Sequence, residues 1–270
     1  MPALYIVATP IGNLEDISHR AVRILRQVHL IAAEDTRTTL KLLRAYGVRT
    51  RLISYYEQGK RSRLPYLMEQ LRKHEVALVS EAGTPGISDP GYDLVRAALA
   101  QGISVIGIPG PSAVITALAV SGLPCDQFTY VGFLPRKAGD RKRFLQSISG
   151  EPRTLVALEA PHRLLASLGD IAEILGDRRI AVCRELTKLH EEVFRATVRQ
   201  AIDHFREPLG EFTVVIEGSA PQPAGVTQEV RERLRDYRSR GVPARKAVGE
   251  IATATGLPKN LLYRAWLDLS

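Results

Sequence analysis

The sequence predicts an α/β protein of two domains with a small helical module appended. Three observations predict it. Over the first two thirds, apolar runs of strand length alternate with segments of helical period, which is βαβα grammar. That rhythm occurs twice, with a seam near residues 118–126 (LAVSGLPCD). A stretch rich in Gly, Pro and Ala, GSAPQPAG (218–225), then precedes three short helical patterns. The expected boundaries are 1–117 for the first α/β domain, 118–218 for the second and 226–270 for the helical module.

In the first domain the expected strands are LYIVA (4–8), VHLIAA (28–33), RLIS (51–54), VALVS (76–80) and ISVIGI (103–108). Helical patterns at 18–27, 37–46, 62–73, 91–101 and 112–120 separate or follow them, so the sheet is expected to be largely parallel. The second domain repeats the pattern with FTYVGF (128–133), TLVALE (154–159), RIAVCRE (179–185), VFRATV (193–198) and FTVVIE (212–217). Its helices are expected at 139–148, 161–175 and 199–206. Beyond the linker, helices at 227–239, 243–253 and 258–268 follow, the last two joined by a turn at Thr255-Gly256-Leu257 and reopened by Pro258. That is helix-turn-helix grammar, and Arg245, Lys246, Lys259 and Arg264 decorate it.

With 45% hydrophobic and 24% charged residues in 270, the composition is that of a folded globular chain. The two cysteines, Cys125 and Cys183, cannot build a disulfide scaffold, and without a C-x-x-C pair structural zinc has no support. The first charged residue is Glu15, so no basic signal-peptide start is present. The long uncharged stretch 97–125 is broken by Gly102, Gly107, Pro109, Gly110 and Pro111, which reads as strand, loop and helix rather than a membrane span. A cytoplasmic protein without membrane contact is expected. The net charge of +8 is local: residues 136–143 (RKAGDRKR) and 226–270 carry +4 each. Such clusters suit a polyanionic partner, because cations that neutralise phosphates release counterions.

Several signatures are absent. No phosphate-binding G-x-x-x-x-G-K-[ST] loop, no G-x-G-x-x-G and no G-x-S-x-G elbow occurs. His190-Glu191 starts like a zinc-protease helix, but Phe194 stands where the second His is needed, so no metal site is expected. Three loops remain, each directly after a strand: ATPIGNLEDIS (8–18), SEAGTPGISDPG (80–91) and PGPSA (109–113). In an open parallel sheet, ligands bind outside the carboxyl ends of the strands. A nucleotide-binding reading of 81–86 fails, since it wants an acidic residue about 20 positions on, and none occurs between Asp93 and Asp126.

These segments, together with AEDTRTT (33–39), EAPHR (159–163) and CRELTK (183–188), resemble in order and spacing the signature segments of the bacterial ribosomal RNA small subunit methyltransferase I family. The resemblance covers essentially the whole chain. It implies the tetrapyrrole methylase fold, two α/β domains with S-adenosylmethionine in the cleft between them. It further implies 2′-O-methylation of a cytidine ribose in the decoding centre of 16S rRNA, and a homodimer. One departure is Glu81, where the family usually carries Asp.

Carried over segment by segment, the resemblance implies cofactor contacts from Pro10, Gly12, Glu81, Gly83, Thr84, Ser112 and Ala113. From the second domain it implies Phe133, Leu134, Glu159, Ala160 and Leu186. The residues themselves admit plainer readings: Ser112 also suits an N-cap, and Glu81 an exposed loop charge. Methyl transfer to a ribose hydroxyl depends chiefly on positioning, with help from a base. The candidates are Glu34, Asp35, Glu159 and His162, with no single one preferred. Arg37 and Arg163 can hold phosphates, although Arg37 also fits a solvated helix face. RKAGDRKR supplies Arg136, Lys137, Arg141, Lys142 and Arg143 as a basic lid over an RNA backbone.

Two other readings compete. A small-molecule tetrapyrrole methylase has no use for the basic clusters or the C-terminal module. A DNA-binding regulator would carry a recognition helix dense in base-reading side chains, whereas KNLLYRAWLDL is mostly apolar.

Overall fold

The computed structural model describes residues 2–220 and 226–269. Residues 221–225 of the expected linker lie outside the described residues. The described chain divides into two compact units, one running to Gly218 and one from Ser219.

The first sheet contains β1 (Ala3–Val7), β2 (Leu30–Ala33), β3 (Arg51–Ser54), β4 (Val76–Val79) and β5 (Ser104–Ile108). Their order is β3-β2-β4-β1-β5, and every pairing is parallel. All four residues of β2 and of β4 are buried, as the unbroken apolar runs LIAA and VALV require for strands covered on both faces. Alternation along the strands sends Tyr5, Val7, Ala77 and Val79 to one face. There α1 (His19–Gln27) and α2 (Thr36–Ala45) deliver Ile24, Leu25 and Leu43. Leu4, Val76 and Leu78 point to the other face, which α3 (Lys60–Leu71) and α4 (Tyr92–Ala100) cover with Leu67, Met68, Leu71, Leu94 and Ala98.

The second sheet contains β6 (Phe128–Phe133), β7 (Thr154–Glu159), β8 (Arg179–Arg184), β9 (Glu192–Thr197) and β10 (Phe212–Ile216), ordered β6-β7-β10-β8-β9. Here the expectation of a largely parallel repeat is corrected. Only β6 and β7 run parallel, while β7–β10, β10–β8 and β8–β9 are antiparallel. The connection between β8 and β9, residues 185–191, is too short for a parallel crossover, and β10 inserts between β7 and β8. On one face α6 (Ala138–Ser147), α7 (Leu164–Ile174) and α8 (Val198–His204) enclose a core that includes Leu145, Leu168 and Val198.

The other face is covered by α5 (Ala113–Ser121), which follows β5 of the first sheet. Val114, Ala117 and Leu118 pack on Val156, Ala181, Cys183 and Val215. The helix ends at Gly122 in the left-handed conformation, and Thr154 Oγ1 donates to the carbonyl of Pro124 at 2.5 Å. Burial pushes the Cys183 thiol up to about 12, so it behaves as a small apolar group.

The basic segment 136–143 does not present its cations on one surface. Helical period turns Arg141 inward beside Leu145, and Arg141 is 4% exposed. Its Nε donates to Asp170 Oδ2 at 2.7 Å, and Asp170 is itself buried. Lys142 pairs with Glu173 at 2.6 Å and Arg143 with Asp140. Arg136 and Lys137 remain exposed ahead of the helix.

The C-terminal unit packs α9 (Gln228–Ser239), α10 (Ala244–Thr255) and α11 (Lys259–Leu267) around Leu234, Val248, Ile251 and Leu262. Thr227 caps α9, α10 stops at Gly256 with φ 71°, and Pro258 precedes α11. Arg245, Lys246, Lys259 and Arg264 are all exposed on this unit. Among the described residues no helix is long and apolar enough to cross a membrane.

The Arg141–Asp170 pair gives a direct test. Arg141→Ala leaves the buried Asp170 carboxylate with Lys142 alone, 3.7 Å away, and is expected to cost about 3 kcal/mol. Arg136→Ala, at an exposed position, should stay within about 0.5 kcal/mol. Urea unfolding of the two variants measures the difference.

Candidate functional site

The strand order places β1 and β4 side by side at the centre of the first sheet, so the loops after them emerge together. They are joined by a reciprocal bridge: Thr9 N donates to Gly83 O at 2.9 Å and Gly83 N to Thr9 O at 3.0 Å. Beneath it Ser80 Oγ donates to Gly83 O at 3.3 Å. With the loop after β5 and strand β6 of the second sheet, these loops enclose a cavity of about 1030 Å³. Its walls on the first-sheet side include Thr9–Gly12, Ser80–Thr84, Ile87–Asp89, Pro109–Gly110 and Ser112–Ile115, with Glu34, Thr38 and Lys41 from the segment after β2. Phe128, Tyr130, Phe133, Leu158 and Glu211 line it from the second sheet.

The β1 loop is wedged against the β8–β9 loop at Gly12. A Cβ there would fall 2.8 Å from Thr187 Oγ1, so no other residue fits without displacement. The β8–β9 loop is itself strained: Glu185 and Thr187 have φ of 50° and 68°, unusual for residues with a side chain. Lys188 Nζ ties it down, lying 3.0 Å from Glu185 and 3.1 Å from Glu211.

The cavity is acidic. Glu34, Glu81, Asp89 and Glu211 line it, against a single basic side chain, Lys41. Glu34 Oε2 accepts from Glu81 N at 3.2 Å, and Thr38 Oγ1 donates to Glu81 Oε1 at 3.4 Å. Burial raises the Glu34 carboxyl above the usual range. Burial, reinforced by the nearby Glu34 charge, pushes Asp89 up to about 7.

Of the residues expected at the cofactor, Pro10, Gly12, Glu81, Gly83, Thr84, Ser112, Ala113 and Phe133 line this cavity. Ser112 also caps α5, accepting from Ile115 N at 3.4 Å. Leu134, Glu159, Ala160 and Leu186 are not among its walls, and the side chains of Leu134 and Leu186 belong to the cores.

Among the four candidate bases only Glu34 reaches the cavity. Glu159 is corrected to a structural role. It is 2% exposed, and its oxygens accept from Arg163 Nε at 2.7 Å, Ser167 Oγ at 2.5 Å and Ala160 N at 2.8 Å. The same geometry removes Arg163 as a phosphate holder, since it is engaged by Glu159 and by the carbonyl of Leu134 at 3.0 Å. Asp35 caps α2 and pairs with Arg37, which holds its carboxyl at about 2, too weak a base to accept a hydroxyl proton readily. His162 lies exposed in the 3-10 turn Pro161–Arg163. Arg37 points outward, with its side chain 88% exposed.

Sequence reasoning missed Asp89, Ser88, Thr38, Tyr130 and Glu211. Asp89 and Ser88 lie within SEAGTPGISDPG, so the segment was visible but not the burial that distinguishes its second carboxylate. Tyr130 lay in a strand with no signal beyond apolar alternation.

Comparison with known proteins settles the family. The profile described as "Tetrapyrrole (Corrin/Porphyrin) Methylases" matches residues 3–202, and that described as "RsmI C-terminal HTH domain" matches 224–270. The Ribosomal RNA small subunit methyltransferase I of Synechocystis sp. is 46% identical, the match covering 100% of this chain and 99% of that protein. The protein of the same name from Escherichia coli O157:H7 is 42% identical over 98% of this chain and 94% of that one. The chain belongs to the ribosomal RNA small subunit methyltransferase I family. As a member, it is a methyltransferase with the tetrapyrrole methylase fold. Solved structures agree on the fold. Diphthine synthase superposes with a TM-score of 0.62 at 15% identity, covering 80% of this chain and 90% of that one. Cobalt precorrin-4 methyltransferase superposes with 0.60 at 15%, covering 80% and 94%. In this family setting, the 3–202 match contains nearly all of the cavity wall and the 224–270 match contains the helical unit.

The raised Asp89 carboxyl predicts a pH signature. A folded-state pKa of about 7 against an ordinary 3.8 means that the native state holds this proton more tightly than the unfolded chain. Its contribution is therefore complete below about pH 4 and is lost as pH rises through about 7. Asp89→Asn removes that dependence. Urea midpoints should shift in favour of the variant, relative to the native protein, between pH 5 and pH 8.

Proposed function

We propose that this protein transfers a methyl group from S-adenosylmethionine to the ribose 2′-hydroxyl of a cytidine in the decoding centre of 16S rRNA. The observation that carries the reading is the acidic cavity bounded by post-strand loops of the first sheet. Its residues fit the cofactor. Four carboxyl groups against one lysine offer acceptors to ribose and amino groups, and their ionised members favour a cationic sulfonium and ammonium. The first-turn amides of α5 point a positive dipole end at the same cavity, suited to a carboxylate.

Bound, S-adenosylmethionine supplies an electrophilic methyl. The protein's own part is to orient and to manage a proton. Pro10, Gly12, Gly83 and Thr84 bring backbone groups close to the cavity, and Glu81 stands fixed by Thr38 and the Glu34 contact. Glu34 is the candidate base that the cavity retains, and Asp89, with its raised pKa, is a second group suited to accepting a proton near neutrality. The RNA reading rests on the names of the close relatives and on exposed cations: Arg136, Lys137 and Arg37 on the body, with Arg245, Lys246, Lys259 and Arg264 on the helical unit. We infer further that the protein works as a homodimer in the cytoplasm. Tyr92 and Leu99, 68% and 59% exposed on α4, are apolar surface consistent with a second copy.

Labelled methyl from S-adenosylmethionine should reach 16S rRNA, presented free or in the small subunit. The modified linkage should resist alkaline cleavage, as a blocked 2′-oxygen requires. Label on a base, with every linkage alkali-sensitive, overturns the 2′-O assignment. Glu81→Ala should weaken cofactor binding by ~1–3 kcal/mol, read by calorimetry.

Arg136 and Lys137 give a second test. Neutralising both should lower the slope of log RNA affinity against log salt by about 0.7–0.9 for each phosphate no longer neutralised. Neutralising Arg141, whose charge is buried against Asp170, should not alter the slope in a folded variant.

A further inference from the structure

The loop between β4 and α4 is anchored at both ends and exposed in the middle. At its start Gly83 is bridged to Thr9, and Glu81 is held by Glu34 and Thr38. At its end Gly91 lies against Gly86, where an added Cβ would come within 3.1 Å of backbone. Between them Ile87 and Ser88 are exposed, Ile87 by 53%. Here Ser88 Oγ lies 2.6 Å from Tyr130 OH on β6. Among the described residues this is the sole side-chain hydrogen bond between the loop and the second sheet.

Three further observations converge on the contact. Ser88 has φ 65°, a left-handed backbone that a serine adopts only against an energetic cost. β6 is bulged beside it, its register with β7 jumping between Tyr130 and Gly132. Bulges re-aim side chains next to functional sites. Gly132 lies in van der Waals reach of the serine, 3.6 Å from its Oγ measured from the Cβ position, and its φ of 67° is the left-handed backbone that a glycine supplies at the bulge. Strain on one side and a bulge on the other together bring two hydroxyls into contact.

We propose that Tyr130 is a positioning residue whose hydroxyl, bonded to Ser88, latches the β4–α4 loop onto the second sheet and so holds Asp89 at the cavity wall. Asp89 follows Ser88 directly and lines the cavity beside Tyr130. The latch closes the cavity from the side of β6, and its release frees the segment between the two anchors. This rests on the methyl-transfer reading for its consequence, but not for its existence.

Tyr130→Phe removes the hydroxyl and keeps the ring, and Ser88→Ala removes the partner. Each should weaken S-adenosylmethionine binding about three- to tenfold. The double variant should be no weaker than either single one, because both delete one interaction. Amide exchange at 86–89 should speed up in both single variants without any ligand, while the strands of the first sheet stay protected. Additive losses in the double variant overturn the latch, as does exchange at 86–89 identical to that of the native protein. If the native protein does not bind S-adenosylmethionine, the cofactor reading fails, and exchange in the free protein still decides the latch.

Discussion

Everything at the cavity depends on where α5 is buried. The helix is connected to the first sheet but packs on the second, through Val114, Ala117 and Leu118 against Val156, Ala181, Cys183 and Val215. Burying such aliphatic side chains contributes about 1.5–3 kcal/mol each for the larger ones. Ala117 is fully buried, which lets the helix sit close to the strands beneath it. The joint fixes the second sheet beside the carboxyl ends of the first, and the cavity is the space left between. Arg195 reinforces it by donating from Nε to the carbonyl of Val120 at 2.8 Å.

Around that joint, irregular backbone is concentrated where the two sheets' loops meet. Among the described residues the three side-chain-bearing residues with positive φ are Ser88, Glu185 and Thr187. Ser88 faces β6, and Thr187 faces Gly12 of the β1 loop. Left-handed backbone is tolerated only where surrounding structure over-determines it. Here the Tyr130 hydroxyl, the Lys188 ion pairs and the Thr187 N–H donated to Glu191 at 2.5 Å supply that determination. The carboxylates are likewise placed by loops that converge. Glu34 and Asp89 come from different loops, and the charge of one raises the pKa of the other.

Much of this was legible in the chain, for identifiable reasons. The central strands β2 and β4 read clearly because residues buried on both faces leave unbroken apolar runs, and the start of α5 read clearly because Ser112 is an N-cap. Strand direction in the second sheet was legible only in part: the short connection at 185–191 already excludes a parallel crossover between β8 and β9, whereas an apolar run such as FTVVI looks the same whichever way it pairs. The basic segment misled because formal charge carries no helical phase. Arg141, Lys142 and Arg143 are consecutive, yet successive rotations of about 100° send them to a buried carboxylate, an exposed pair with Glu173 and open surface. Glu159 misled for the opposite reason. Its motif neighbour Arg163 was visible, but only folding shows that Arg163 and Ser167 saturate it.

The placement of α5 also has a consequence for synthesis on the ribosome. The helix is complete at Ser121, but the strand that fills the centre of its receiving sheet, β10, ends at Ile216. At about 5–20 residues per second the apolar side of α5 waits roughly 5–20 s, plus transit of the exit tunnel, before its docking surface can exist. During that interval the finished first sheet carries an uncovered greasy helix at its edge.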